Sequence, residues 1–488
     1  MSTPAPATAH LPEVPTRFSH LPLVVDLDRT LLRSDSLHDG LGLLLRNPWR
    51  LLVALGVLLT RGRSALKAYV TKQAPLEVTL LPYFAPLLEW LRTEHAGGRR
   101  LVLATAAHHH LADQVAKHLG LFEKTLASTD SHNLKGSAKA AALVERFGER
   151  GFVYAGDHPS DVAVWRRAAG AVLVGVTPRL RKAAMQVTAV EREFTLPRRG
   201  LARRLLQVLR PHQWVKNALV FVPIITSTRF TDAQAWGRAA LVFVAFCATA
   251  SAIYIINDLQ DLNADRAHPQ KRRRLFATGE LAVGAGLVGA VLLAALGAGL
   301  AGWLRVGGPL AVYVGLALAY SAVLKEIAMA DTFALAGLFC IRLFAGGAAT
   351  GYHVSVWLFA FSCFAFLGLA LLKRAAELRA AAGGATAQVP RRGYYPADLP
   401  LITSMGTAAS MATAIVLALY VQSVAAADRY RHPELLWFVV PAVLFCFARL
   451  WLKTSRGEMH SDPVLFALRN GEFWGVVAVV AALIYFAL

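Results

Sequence analysis

Asp26 and Asp28 stand two residues apart in VVDLDRT, where an apolar run, Leu21–Leu27, turns acidic. Residues two apart in an extended segment share one face, so both carboxylates can act on one group. Thr105 closes a second apolar run (LVLATAA), Lys135 lies in NLKGSAKA, and Asp157 and Asp161 follow a third run in YAGDHPSD. Such a set suits phosphoryl transfer through a covalent aspartyl phosphate. One carboxylate attacks phosphorus and a second protonates the leaving oxygen. A hydroxyl and an ammonium hold the phosphate, and acidic groups retain Mg²⁺. Each piece alone also fits a solvated turn; the ordered set is what points to chemistry. Three consecutive histidines, His108–His110, cannot easily share one face and are expected in a polar loop rather than around a metal.

A second acidic set lies in NDLQDLNADR, with Asn257, Asp258, Asp261, Asp265 and Arg266. On an unbroken helix, positions i, i+3 and i+7 line one face. Three carboxylates there suit a hard divalent ion such as Mg²⁺, which commonly shares its coordination with phosphate oxygens. Lys271–Arg274 follow at once and offer positive charge to an anionic substrate or lipid headgroup. Further on come Tyr320, Ser321, Lys325, Asp331 and Arg342. Asp331 and Arg342 are eleven residues apart, about three turns, so both are expected on one helix face. Arg342 inside an apolar stretch calls for an anionic partner. Lys216, Arg266 and Lys325 could hold phosphate or be ordinary loop charge. The polar stretch at 456–463 (RGEMHSDP) has no predicted role.

The first set needs a sheet to position it. Apolar runs at Leu21–Leu27, Arg100–Thr105, Gly151–Ala155 and Ala171–Gly175 alternate with helical patterns, which predicts an α/β domain with a parallel sheet. Its helical insert contains Leu51–Thr60, a ten-residue apolar run too short to span a bilayer and expected in a cap helix. The second set needs a membrane. Nine spans are predicted, at about 216–228, 237–257, 281–301, 307–324, 328–347, 354–372, 401–422, 435–452 and 472–487. The chain is 56% hydrophobic and only 17% charged, which excludes a single soluble globular enzyme. Its net charge of +20 could suggest a nucleic-acid binder, but alternate loops carry 15 and 5 Lys and Arg residues. That bias is the positive-inside pattern of a multi-pass membrane protein, with the N-terminal domain cytoplasmic and the C-terminus outside. No nucleic-acid partner is expected. Cys247, Cys340, Cys363 and Cys446 all lie in apolar segments without metal spacing and are expected to pack. The Pro/Ala/Thr-rich residues 1–20 are expected to be disordered and show no cleavable signal peptide.

The phosphoryl-transfer set, with its helical insert, resembles the phosphoserine-phosphatase-like branch of the haloacid dehalogenase (HAD) superfamily over 20–195. That resemblance implies a Rossmann-like fold with Asp26 as nucleophile, Asp28 as acid/base, Thr105 and Lys135 on the phosphate, and Asp157 as Mg²⁺ ligand supported by Asp161. Asp26 and Asp28 are further expected ligands of that ion. His158 departs from the small or acidic residue of many relatives; a decayed scaffold is the alternative. NDxxDxxxD at 257–265 among many spans resembles the UbiA superfamily of intramembrane prenyltransferases. It implies an all-α transmembrane bundle and diphosphate held through Mg²⁺ by Asp258, Asp261 and Asp265. The usual second DxxxD motif is reduced to Asp331. RPHQWVKN, NDLQDLNADRAHPQKRRRLFATGEL and YSAVLKEIAMADTFALAGLFCIRLFAGG resemble the decaprenyl-phosphate phosphoribosyltransferase branch. This implies phosphoribosyl diphosphate (PRPP) and polyprenyl phosphate as substrates, with Lys216, Asn257, Arg266, Lys325, Asp331 and Arg342 in binding. The resulting organisation is 1–20 tail, 21–195 phosphatase domain (cap about 36–95), 196–215 basic connector and 216–488 transferase domain in a bacterial inner membrane. An aromatic prenyltransferase with an unrelated phosphatase, or a transporter or lipid-binding protein, are the alternatives.

Overall fold

The computed structural model describes residues 18–196, 200–227, 229–381, 392–459 and 462–488. Most of the tail expected to be disordered lies outside these residues. The chain divides into two compact units, Met1–Val208 with Ile255–Val288, and Leu209–Tyr254 with Gly289–Leu488. The acidic loop after residue 257 therefore belongs to the first unit.

The first unit is built on a parallel sheet of β1 (Leu23–Val25), β2 (Leu101–His108), β3 (Lys124–Ser128), β4 (Val153–Gly156), β5 (Gly170–Val174) and β6 (Ala189–Phe194). Its order is β3-β2-β1-β4-β5-β6. β1, β4 and β5 are wholly buried, as their unbroken apolar sequences require of strands covered on both faces. The chain leaves β1 in one direction through β2 and β3, and later in the other through β4 to β6. A crevice must open where these paths diverge, at the carboxyl ends of β1 and β4. Asp26 immediately follows β1 and Asp157 immediately follows β4.

The insert between β1 and β2 contains α1 (Ser36–Leu44), α2 (Pro48–Gln73) and α3 (Ala85–Ala96). The predicted short apolar run lies in α2, which exposes Trp49, Leu52, Leu55 and Leu59. α4 (His109–Leu119) and α5 (Ser137–Phe147) cover the sheet; Leu143 of α5 packs with Val24 and Tyr154.

Among the described residues six helices are long and apolar enough to cross a membrane: Ala233–Gln260, Val283–Trp303, Ala330–Thr350, Val356–Ala380, Pro396–Val421 and Pro433–Ser455. The nine predicted spans are not all of this kind. Gly307–Ala322 and Gly471–Ala487 are shorter apolar helices, of 16 and 17 residues. The first predicted span is instead two short turns, Val215–Phe221 and Val222–Thr226, with Pro223 at their junction. In the second unit Val220, Phe246, Tyr313 and Ala345 share one core. Gly346 permits close approach there, because a Cβ at this position would lie 2.0 Å from the Val220 carbonyl oxygen.

Candidate functional site

At the crevice, carboxylate oxygens of Asp26, Asp157 and Asp161 lie within 4.8 Å of one another. Asp26 is anchored by its amide, which donates to the Ala155 carbonyl at 3.0 Å, and its Oδ1 accepts from Leu27 N at 2.8 Å. Asp161 accepts from the amides of Asp157 and His158 at 3.1 and 2.9 Å, which folds the β4 turn back on itself. His158 closes that turn, with its Nδ1 2.9 Å from Ser160 Oγ. Thr30 Oγ1 donates to Asp157 at 3.2 Å. Burial and the neighbouring Asp26 and Asp161 push the Asp157 carboxyl up to about 8, and burial with Asp26 raises Asp161 to about 6. Clustered, desolvated carboxylates of this kind fit a hard divalent cation, which removes their mutual repulsion.

Asp28 does not join this group. Its Oδ1 accepts from Ser36 N at 2.7 Å, and burial, then the charge of Asp35, lift its carboxyl to about 7. Among the described residues the metal-ligand grouping takes in Asp26, Asp157 and Asp161 and leaves Asp28 out, and a carboxyl at that level can exchange a proton near neutral pH.

The cation against Asp26 is Lys139, buried on α5, at 3.0 Å from Oδ2 and 2.7 Å from the Tyr154 hydroxyl. Lys135 is exposed one turn earlier. The sequence offered only the four-residue spacing as a sign of Lys139. Thr105 is buried inside β2, which runs on to His108, and its Oγ1 accepts from Ala107 N at 2.9 Å. His108 opens α4 and pairs with Asp130 at 2.8 Å.

The acidic loop departs from the expected single face. The helix ends at Gln260, Asp261 takes a non-helical conformation, and a new helix runs Leu262–Ala267. Asp258 and Asp265 both hold Arg274 Nη1, at 2.9 and 2.7 Å, whereas Asp261 pairs with Arg46 at 2.7 Å. As placed, the three carboxylates do not gather round one ion. Asn257 lies in the last turn of the helix ending at Gln260. Arg266, expected on phosphate, is buried against Asp39 of α1 at 2.6 Å and also donates to the Ala277 carbonyl at 3.1 Å.

In the second unit, Asp331 and Arg342 are not partners. Asp331 is fully buried, paired with Arg374 and accepting from the Tyr394 hydroxyl at 2.6 Å. Arg342 donates to Asn217 Oδ1 at 2.7 Å and to the Leu338 carbonyl, and its guanidinium lies 4.7 Å from the Tyr313 ring centre. Among the described residues Arg342 meets neutral acceptors and an aromatic face. Eleven residues separate the two groups along the axis by about 16 Å, which a shared face cannot bridge. Lys216 pairs with Asp462, so the unassigned RGEMHSDP stretch supplies a site partner. Its His460 and Ser461 lie outside the described residues. Lys325 sits in a 3₁₀ turn, Leu324–Glu326.

Residues 220–487 match the model of the UbiA prenyltransferase family. The chain belongs to the UbiA prenyltransferase family. Residues 23–166 match haloacid dehalogenase-like hydrolases, so this UbiA-family chain carries a phosphatase domain as well. An uncharacterized protein of Sinorhizobium fredii, y4nM, is 37% identical over 470 residues, 95% of this chain and 90% of that one. Decaprenyl-phosphate phosphoribosyltransferase of Corynebacterium glutamicum is 36% identical over 228 residues, 45% of this chain and 67% of that one. The solved structure of a UbiA homolog from Archaeoglobus fulgidus bound to GPP and Mg²⁺ is similar with 16% identity and a TM-score of 0.42, over 58% of this chain and 98% of that one. The chain is a multi-pass membrane enzyme, a UbiA-type transferase related to the phosphoribosyltransferases and joined to an HAD-type phosphatase.

Proposed function

We propose that the chain transfers 5-phosphoribose from PRPP to a polyprenyl phosphate and then removes the 5-phosphate. The observation that carries this coupling is the placement of the acidic loop, residues 255–288, in the same compact unit as the phosphatase sheet. In the transfer, a phosphate oxygen of the lipid attacks C1 of PRPP as the bond from C1 to the diphosphate breaks. Lys216, Asn257, Lys325, Asp331 and Arg342 are the proposed substrate-binding residues. The nine-span count, the cytoplasmic N-terminal domain, the inner-membrane location and the division at 21–195, 196–215 and 216–488 belong to the same reading.

The second product carries a phosphomonoester. Asp26, with the Lys139 ammonium 3.0 Å from its Oδ2, attacks its phosphorus and displaces the ribose 5-oxygen, which takes the proton of Asp28. Asp28 then accepts a proton from the water that cleaves the aspartyl phosphate, which restores both groups. Lys135 and Thr105 are proposed at the phosphate. Mg²⁺, held by Asp26 and Asp157 with Asp161 in support, would neutralise phosphate charge when bound.

Mass spectrometry of lipid products from PRPP and polyprenyl phosphate tests the reading. Asp26→Asn should stop at a product heavier by one phosphoryl group, roughly 80 Da. Identical products from variant and wild type would remove the phosphatase from this sequence. Turnover of a prenyl diphosphate with an aromatic acceptor, and none of PRPP, would overturn the transferase assignment.

A further inference from the structure

The crevice opens into a cavity of about 520 Å³ whose lining includes Asp157, His158 and Gly279–Val283, all within the first unit. That volume is within the range of small-molecule sites and leaves room beyond the phosphate against Asp26. Arg29, Arg33 and Arg204 also line it. The carboxylates that share the wall are largely committed. Asp39 is held by Arg266, and Asp35 caps α1 and lies 3.2 Å from His38. Arg33 reaches Glu280 only at 3.8 Å, and Arg204 Nε is buried without a hydrogen-bond partner among the described residues.

Arg29 is the sharpest feature. It sits at φ 59°, ψ −4°, a conformation that costs a non-glycine residue energy and that clusters at functional positions. A glycine would hold the same turn at lower cost, so the side chain has a use. Its charge is felt by Asp35 and His158, which also line the cavity.

We propose that Arg29, with Arg33 and Arg204 beside it, forms a second anion subsite that takes the phosphodiester of a lipid-linked phosphoribose while its 5-phosphate lies against Asp26. The identity of the lipid-linked substrate rests on the proposed function; the subsite for a second phosphate does not. The lining stretch Gly279–Val283 runs on in sequence into the apolar helix Val283–Trp303.

The test compares release of the 5-phosphate from ribose 5-phosphate, from ribose 1,5-bisphosphate and from polyprenyl-phosphoryl 5-phosphoribose by the full chain. A charge-assisted contact on the second phosphate should raise kcat/KM for the bisphosphate about tenfold or more over the monophosphate. Arg29→Gly, which keeps the turn, should bring that ratio near one and leave ribose 5-phosphate within about threefold of wild type. Arg204→Gln should lower the ratio partially, with melting temperature unchanged. A wild-type ratio near one, or equal loss on both soluble substrates in Arg29→Gly, overturns the subsite. A retained bisphosphate preference with no turnover of the lipid-linked substrate supports the subsite and overturns the proposed function.

Discussion

Asp28 and Asp26 are two residues apart, yet their surroundings give them different work. Asp28, at about 7, carries a proton where the reaction needs one, while Asp26 faces the Lys139 ammonium. Asp28→Asn should therefore lower kcat on an alkyl phosphate by roughly 10²–10⁴-fold, and much less on nitrophenyl phosphate, whose leaving group needs no proton. Equal losses on the two substrates would place Asp28 elsewhere in the reaction. Asp157 makes a pH prediction. Its folded-state value of about 8 lies above the 3.8 of an ordinary aspartate, so the metal-free fold holds a proton that the unfolded chain releases. That contribution is present below about pH 4 and is lost as pH rises through 8. Mg²⁺ should thus raise the melting temperature more at pH 8.5 than at 5.5; a shift independent of pH would exclude this linkage. The Arg266–Asp39 pair is buried on both sides, with 3% and 2% side-chain exposure. Asp39→Ala leaves a guanidinium in the interior and should cost roughly 3–5 kcal/mol, read by thermal unfolding. Adding Arg266→Met should recover part of that loss.

Gly346 packs closely against the Val220 carbonyl. Gly346→Ala must push Val215–Phe221 away from Ala330–Thr350 and should destabilise the second unit by about 1–3 kcal/mol. It should also weaken PRPP binding, because Asn217 and Lys216 ride on the displaced turn; an unaltered melting temperature and affinity would refute the packing argument. The same elements show what could be read from sequence. β1, β2, β4 and β5 were legible because strands buried on both faces are unbroken apolar runs. β3 and β6 lie at the sheet edges and mix exposed polar residues into short segments, so they carry no such run. Asp26, Asp157 and Asp161 were legible from their positions after strands. Lys139 was not, since a lysine on a helix ordinarily reads as solvated. The face arithmetic for Asp258, Asp261 and Asp265 assumed an unbroken helix, and the break at Asp261 undid it. Asn217 as the partner of Arg342 is 125 residues distant, beyond any local periodicity.

At the scale of the whole chain, the first unit is assembled from two stretches separated by residues 209–254. Binding at the phosphatase crevice should therefore be sensed in the acidic loop. With Mg²⁺ and vanadate, hydrogen exchange should slow at 261–268 as well as around Asp26 and Asp157, while 401–421 is unaffected; protection confined to the crevice would mean that the two stretches move independently. The interrupted order also bears on how the protein is made. A ribosome produces Asp39 more than two hundred residues before Arg266, its partner. Between the two comes Ala233–Gln260, which must enter the bilayer first. Until then the nascent phosphatase holds a carboxylate prepared for burial with no charge to meet it. Biogenesis of the phosphatase should therefore wait on the later stretch: a chain stalled before residue 266 should remain protease-sensitive at α1, and one extended past it should become resistant.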